Sequence, residues 1–239
     1  MIVVGAGVIG LSIAWHLRRR GVDTLVLERE GIAAGASGVQ PGGVRQQWGT
    51  TVNCRLSRES AAFYGRAQEH LNGPVELRFT PCGYLFLAHS EQALARLRAN
   101  ADVQAAAGVP SRVVDAGEAG RIVPGLVTDS VTGAGWCAED GYVDRPQAVI
   151  EALARGTRIK IGDVVDLRRE AGSWRLSLRG GGAAQASTVV VAAGVDSPDL
   201  LAPLGVALPV DRESRWLFLS DPIRERLLEP LVVSAERCQ

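Results

Sequence analysis

The sequence predicts an α/β fold organised around a parallel sheet, and three observations carry that prediction. The chain opens with a short β-branched run, Ile2 to Val4, that feeds directly into Gly5-Ala6-Gly7-Val8-Ile9-Gly10. Beyond the last glycine, Leu11, Ile13, Ala14 and Leu17 recur at helical spacing. A second fully apolar run, Leu25-Val26-Leu27, reads as a parallel strand covered on both faces, and it ends in Glu28, 18 positions past Gly10.

Each part of this opening has a physical reason. Arg18, Arg19 and Arg20 suit the negative end of a helix dipole, and Gly21 supplies a left-handed stop. Gly5 permits a tight turn, Gly7 lets the backbone approach a pyrophosphate, and Gly10 lets the helix pack closely on the strand. The helix N-terminus presents free N–H groups and partial positive charge to phosphates. Glu28 is placed to accept hydrogen bonds from a ribose diol, and its charge repels a 2′-phosphate, which argues against NADP. Strand, glycines, helix, strand and acid in this order point to a dinucleotide cradle. The plain alternative is an ordinary βαβ unit whose glycines serve packing.

Composition narrows the function classes. At 239 residues the chain can bury a sizeable core in one or two domains. Its 26 basic and 26 acidic residues balance, so no nucleic-acid or acidic-membrane partner is expected. Cys54, Cys82, Cys137 and Cys238 show no C-x-x-C spacing, which argues against a zinc site or a disulfide framework and fits a reducing cytoplasm. No apolar run approaches the roughly 18 residues of a membrane span. The chain starts inside its first strand, and no secretory signal is expected ahead of it.

After Glu28 and Arg29 comes a small-residue tract, Gly31 to Gly38, followed by Pro41-Gly42-Gly43-Val44-Arg45. Small side chains let backbone come close to an extended ligand, and Ser37 adds a hydroxyl for phosphate; a flexible glycine-rich loop is the alternative. Residues 56–71 read as an amphipathic helix with Leu56, Phe63, Ala67 and Leu71 on one side, ended by Gly73-Pro74. Strands are expected at Glu76–Phe79 and Gly83–Ala88, then a helix capped by Ser90 and a shorter one after Asp115. Val131–Cys137 returns as a strand and Asp140-Gly141 reads as a turn. A helix from Pro146 to about Ala154 leads to strands at Thr157–Ile161, Val164–Arg169 and Ser173–Leu178, with Gly180-Gly181-Gly182 as a hairpin loop. Thr188 to Gly194 reads as a buried strand whose end leaves space for a ligand or holds a turn glycine.

Together GAGVIG at 5–10, LVLERE at 25–30, GASGVQPGGVRQQW at 35–48, GYLFLA at 83–88, DGYVD at 140–144 and TVVVAAG at 188–194 resemble the D-amino-acid-oxidase-like family of FAD-dependent oxidoreductases. The likeness is to its sarcosine oxidase β-subunit, glycine oxidase and dimethylglycine dehydrogenase branch. The resemblance implies an FAD-binding Rossmann-like domain of the glutathione-reductase type, from 1–75 and 140–202. Interleaved with it would be an α+β antiparallel-sheet substrate domain, from 76–139 and 203–239. It also implies FAD contacts at Gly5, Gly7, Val8, Ile9, Gly10, Glu28, Arg29, Ala36, Ser37, Gly42, Gly43, Val44 and Arg45. The backbone of Val164 matches an adenine contact, and Ala193 and Gly194 match positions near the pyrophosphate. The Ala152–Thr157 stretch is shorter than is usual in the family. A further flavin-domain segment that usually follows the substrate domain is not seen before Arg237-Cys238-Gln239, so a truncated chain is expected.

The activity implied is oxidation of a secondary or N-methylated amino acid, sarcosine- or glycine-like, by hydride transfer to flavin N5. Arg45 is the candidate functional side chain, for a substrate carboxylate or for negative charge on reduced flavin; a phosphate contact or surface arginine is the alternative. Tyr84, Phe86, Trp136 and Tyr142 form an expected aromatic wall, with Tyr84 and Tyr142 as substrate contacts and core packing the plainer reading of Phe86 and Trp136. His16, His70 and His89 read as structural or exposed, and no metal site is expected. Three other readings stay open: an NAD-dependent dehydrogenase, a flavin 2-hydroxy-acid dehydrogenase, and a non-catalytic flavin-binding subunit. The partner expected is a small-molecule amine or amino acid, with a homo- or hetero-oligomer left open.

Overall fold

In the computed structural model, which describes residues 1–73, 76–214, 216–221 and 229–235, strand Ile2–Val4 lies between two parallel partners. Leu25–Glu28 flanks it on one side and Val189–Val191 on the other, and Arg158–Ile161 extends the sheet beyond Leu25–Glu28. The crossover helix Val8–Arg19 buries Gly10, Leu11, Ala14 and Trp15. Two demands fix its glycines. Gly5 adopts φ +106°, and a Cβ on Gly10 would lie 2.0 Å from the Gly5 carbonyl oxygen, so the helix can sit this close to the strand only without that carbon. Helix Pro146–Ala154 packs beside the first helix, where Arg18 Nη1 donates to the Arg155 carbonyl (2.8 Å) and to Thr157 Oγ1 (3.2 Å).

An antiparallel sheet of Val164–Glu170, Ser173–Leu178 and Ala183–Ala186 covers the parallel one. Its Leu167 and Leu176 join Ile2, Val4, Leu27 and Val164 in one core. All three hairpin glycines, 180 to 182, have positive φ. Val189–Val191, expected to be buried, is half-buried, because it is an outer strand of the described sheet. These elements form the first of two units, which spans residues 1–40, 73–75 and 146–218.

Unit 2, residues 41–72, 76–145 and 219–239, carries its own sheet, again among the described residues. Tyr84–Ala88 pairs in parallel with Leu231–Ser234 and antiparallel with Gly133–Cys137, which pairs with Arg112–Val114. Helix Glu91–Ala106 is capped by the Ser90 hydroxyl, which accepts from the Ala93 amide, and Ala116–Ile122 is capped by Asp115 through Glu118. A second small sheet joins Gly43–Val44, Gly141–Val143 and Phe79–Thr80.

Several expectations change here. The helix expected over 56–71 begins at Thr51, because Thr50 caps it, and is interrupted between Thr51–Gly65 and Ala67–Leu71. Leu56 is 63 % exposed rather than on the buried side, which belongs to Cys54 and Ala61. The strand expected at Glu76–Phe79 contracts to Phe79–Thr80. Asp140-Gly141 is not a surface turn: Asp140 is fully buried and Gly141 starts a strand. Residues 41–72 and 140–145 pack within unit 2, where Gly43–Val44 pairs with Gly141–Val143. Pro74 and Cys238, singled out above, lie outside the described residues. Among the described residues Cys54, Cys82 and Cys137 form no disulfide, and no helix is long and apolar enough to cross a membrane.

Candidate functional site

In unit 1 the first strand ends in Gly5, and beside it the Val189–Val191 strand ends in Ala192-Ala193-Gly194. A Cβ on Gly5 would stand 2.4 Å from the Ala192 carbonyl oxygen and 3.3 Å from Ala193 Cα, so the two strand ends meet as bare main chain. The Val8 amide at the helix start donates to Ser37 Oγ (3.0 Å), which places Ser37, on the short helix Ala36–Val39, against the first turn. The amides of Ile9 and Gly10 meet no acceptor among the described residues, and Ile9 is itself 64 % exposed.

Glu28 stands at the end of its strand with one oxygen accepting from the Ala6 amide (2.6 Å) and the other from the Glu30 amide (2.9 Å). An ionised carboxylate offers about four lone-pair sites. One on each oxygen therefore remains for a diol. The Gly162 amide donates to the Glu28 carbonyl (2.8 Å), which brings the chain leading to Val164 alongside; Val164 itself is buried in the core. Arg29 is exposed and pairs with Glu30 and with Asp196, just past Gly194. The cradle thus combines main chain too close for side chains, spare helix amides and a pre-held carboxylate, a donor and acceptor set that fits a ribose and a pyrophosphate.

The remaining expected positions fall in unit 2. Gly42, Gly43 and Val44 form the small sheet with Tyr142's strand, where Gly42 accepts from the Val143 amide (2.8 Å). A Cβ on Gly43 would clash with the Tyr84 hydroxyl, so that phenol reaches directly onto the strand. Burial raises the Tyr84 pKa above its usual value, with the Arg45 charge pulling the other way. Arg45 lies between two rings, with Cζ 4.1 Å from the Trp48 centroid and 5.0 Å from that of Phe86. Tyr84 and Phe86 stack at 5.9 Å. The four aromatics do not form one wall. Phe86 lines a cavity of about 540 Å³ with Arg45 and Trp48, while Trp136 and Tyr142 line another of about 650 Å³ with Arg78 and Asp144.

One residue here was not singled out from the sequence. The buried Asp140 carboxylate accepts from the Gln46 amide (2.8 Å) and from Gln47 Nε2 (3.0 Å), while Gln47 Nε2 also donates to the Tyr84 carbonyl (3.1 Å). Asp140 therefore anchors the two residues that follow Arg45. Burial raises its pKa, partly offset by these donors, and burial, with the Asp140 charge second, pushes the Cys137 thiol up to about 12.

Three comparisons place this geometry. The chain is 34% identical over 166 residues to FAD-dependent oxidoreductase domain-containing protein 1 of Bos taurus, covering 65% of this chain and 34% of that one. It is 31% identical over 216 residues to 4-methylaminobutanoate oxidase (formaldehyde-forming) of Paenarthrobacter nicotinovorans, covering 87% of this chain and 26% of that one. The glycine oxidase structure from Geobacillus kaustophilus superimposes with a TM-score of 0.75 at 26% identity, over 87% of this chain and 58% of that one. The chain thus spans about a third or less of the length of these two curated relatives. The family described as FAD dependent oxidoreductase matches residues 1–236, which selects the flavin reading over the NAD-dependent one. On that match the chain belongs to the DAO family of FAD-dependent oxidoreductases, the family its opening residues resemble.

Proposed function

We propose that the chain forms the FAD-binding and part of the substrate-binding portion of an enzyme that oxidises a secondary or N-methylated amino acid. The observation that carries the proposal is the unit 1 cradle, in which Glu28 is already held by the Ala6 amide beside bare backbone at Gly5 and Ala193. The name of the 4-methylaminobutanoate oxidase relative supports an N-methylated substrate. FAD, when bound, accepts the hydride removed from the carbon next to the amine. In this reading Gly5, Gly7, Val8, Ile9, Gly10, Ala193 and Gly194 hold the pyrophosphate. Glu28 binds the ribose, Ala36 and Ser37 support the phosphates, Arg29 closes the edge, and the backbone at Val164 meets the adenine.

By the resemblance, Gly42, Gly43, Val44 and Arg45 also contact FAD, and Tyr84 and Tyr142 contact substrate. Tyr84, whose pKa burial raises further above neutrality, offers a neutral hydroxyl. The substrate amine must shed its proton before its hydride leaves, and a desolvated pocket favours the neutral amine. The domain assignment, flavin side from 1–75 and 140–202 and substrate side from 76–139 and 203–239, belongs to this proposal. So do a cytoplasmic location and any oligomer.

The test is the absorbance spectrum of the purified chain, followed by dye reduction with sarcosine, dimethylglycine, glycine and proline. Yellow protein with reduction by an N-methylated or secondary amine supports the proposal. Colourless protein that takes up no added FAD removes its cofactor half, and flavin-loaded protein inert to the whole panel removes its substrate half.

A further inference from the structure

Three strands of unit 1 run in parallel in the order Val189–Val191, Ile2–Val4, Leu25–Glu28, so their C-terminal ends share one edge of the sheet. Neighbouring strands lie about 4.8 Å apart, which sets the two outer ends roughly 10 Å from each other. One ion pair joins the chain beyond those two ends. Arg29, directly after Glu28, donates from Nη1 to Asp196 Oδ2 (3.2 Å), and Asp196 closes the turn Gly194–Asp196 that follows the Val189–Val191 strand. The pair therefore spans the end of the central strand, where Gly5 leads toward the first helix.

Both partners are held from behind. Glu30 Oε1 accepts from Arg29 Nε (2.9 Å) and lies 2.9 Å from Nη2. The second Asp196 oxygen accepts from Arg212 Nη2 (2.9 Å), and Arg212 Nε donates to the Val195 carbonyl (3.2 Å). A guanidinium offers five N–H groups. Glu30 and Asp196 engage one on each nitrogen of Arg29, so one on each terminal nitrogen remains for an anion. The Arg29 and Asp196 side chains are 51 % and 33 % exposed, and exposed pairs contribute little to stability. What the arrangement does fix is where one long and otherwise rotatable cation stands.

We propose that Asp196 is a positioning residue of the dinucleotide site: it holds Arg29 across the end of the first strand, so that the remaining guanidinium N–H groups meet the pyrophosphate. Guanidinium groups bind phosphate through charge-assisted hydrogen bonds that depend on orientation. The inference rests on the FAD reading of the cradle and adds to it a residue 167 positions beyond Arg29. Arg212 acts one step further back, by orienting Asp196.

Fluorescence titration of the flavin-free, full 239-residue chain with FAD tests it, with ADP measured by displacement. Asp196→Asn should weaken both ligands about tenfold while its urea midpoint stays with the wild type. Asp196→Glu, which keeps the charge, should recover most of the loss. Asp199→Asn, at the other acidic partner of Arg212, should change affinity less than about twofold. Arg29→Gln combined with Asp196→Asn should bind no more weakly than Arg29→Gln alone, since Asp196 acts through Arg29. Additive losses in that double variant, unchanged affinity in Asp196→Asn, no recovery in Asp196→Glu, or a loss that tracks a lowered urea midpoint overturns the positioning role and leaves the cradle standing. A wild-type chain that takes up neither FAD nor ADP removes the cradle and the inference with it.

Discussion

Replacing Asp140 by alanine probes the anchor beneath Arg45 and has a distinctive signature. The carboxylate receives the Gln46 amide and Gln47 Nε2. Gln47 keeps its bond to the Tyr84 carbonyl, but the Gln46 amide, on a residue 2 % exposed, loses its acceptor. A buried donor left unsatisfied costs about 1–3 kcal/mol, and a hydrogen bond to a charged group contributes about 1.5–3 kcal/mol. Relief of the buried charge offsets part of this, so a net loss of about 2–3 kcal/mol is expected. For a chain of this length that corresponds to a fall in Tm of roughly 4–12 °C.

The pH dependence makes the reasoning refutable. Burial raises the Asp140 pKa above its ordinary 3.8, so the folded state holds this proton more tightly than the unfolded one. As pH rises from the unfolded value through the raised one, the wild type loses stability that the alanine variant, lacking the group, does not lose. The destabilisation by Asp140→Ala should therefore be largest at mildly acidic pH and shrink toward neutrality. Urea unfolding of both proteins at the two pH values measures it. A destabilisation that grows toward neutral pH would show that the two donors outweigh burial and would refute the account of this site.

Three further outcomes follow from unit 1. Glu28→Ala removes the acceptor of the Ala6 amide and the proposed ribose partner together, and should weaken FAD retention about tenfold or more; unchanged flavin absorbance per chain would count against the assignment. Gly7→Val places a side chain whose Cβ lies 3.1 Å from Ser37 Oγ at the proposed phosphate position and should give colourless protein, so full flavin content after purification means the cradle is misplaced. Gly10→Ala sets a Cβ 2.0 Å from the Gly5 carbonyl and should destabilise the fold by about 1–3 kcal/mol or more through overpacking, read as a lowered thermal midpoint; an unshifted midpoint would mean the helix can move off the strand freely.

The opening βαβ unit was legible because its signals are local: glycine, helix period and terminal acid all lie within Ile2 to Glu28. The cap at Ser90 and the helix start after Asp115 were legible for the same reason, since each side chain bonds an amide three positions on. Asp140 was not, because its partners Gln46 and Gln47 lie more than ninety positions away and an Asp-Gly pair reads locally as a turn. The small sheet that draws 41–72 into unit 2 has the same cause, a strand of two residues whose partners are distant. Leu56 shows the limit of periodicity: apolar spacing proposed a buried face, but burial followed Cys54 and Ala61. The aromatics failed as a single wall because adjacent strand positions point to opposite faces, separating Trp136 from Phe86 across the sheet.

The first strand pairs on one edge with Leu25–Glu28, close by in sequence, but among the described residues its other edge is matched by Val189–Val191, far along the chain. All of 41–145, which apart from residues 73–75 belongs to unit 2, must leave the ribosome before that edge is closed. Until then Ile2–Val4 exposes unpaired backbone amides and carbonyls to any neighbouring nascent chain, a demand on chaperones that comes from the order of the strands rather than from their composition.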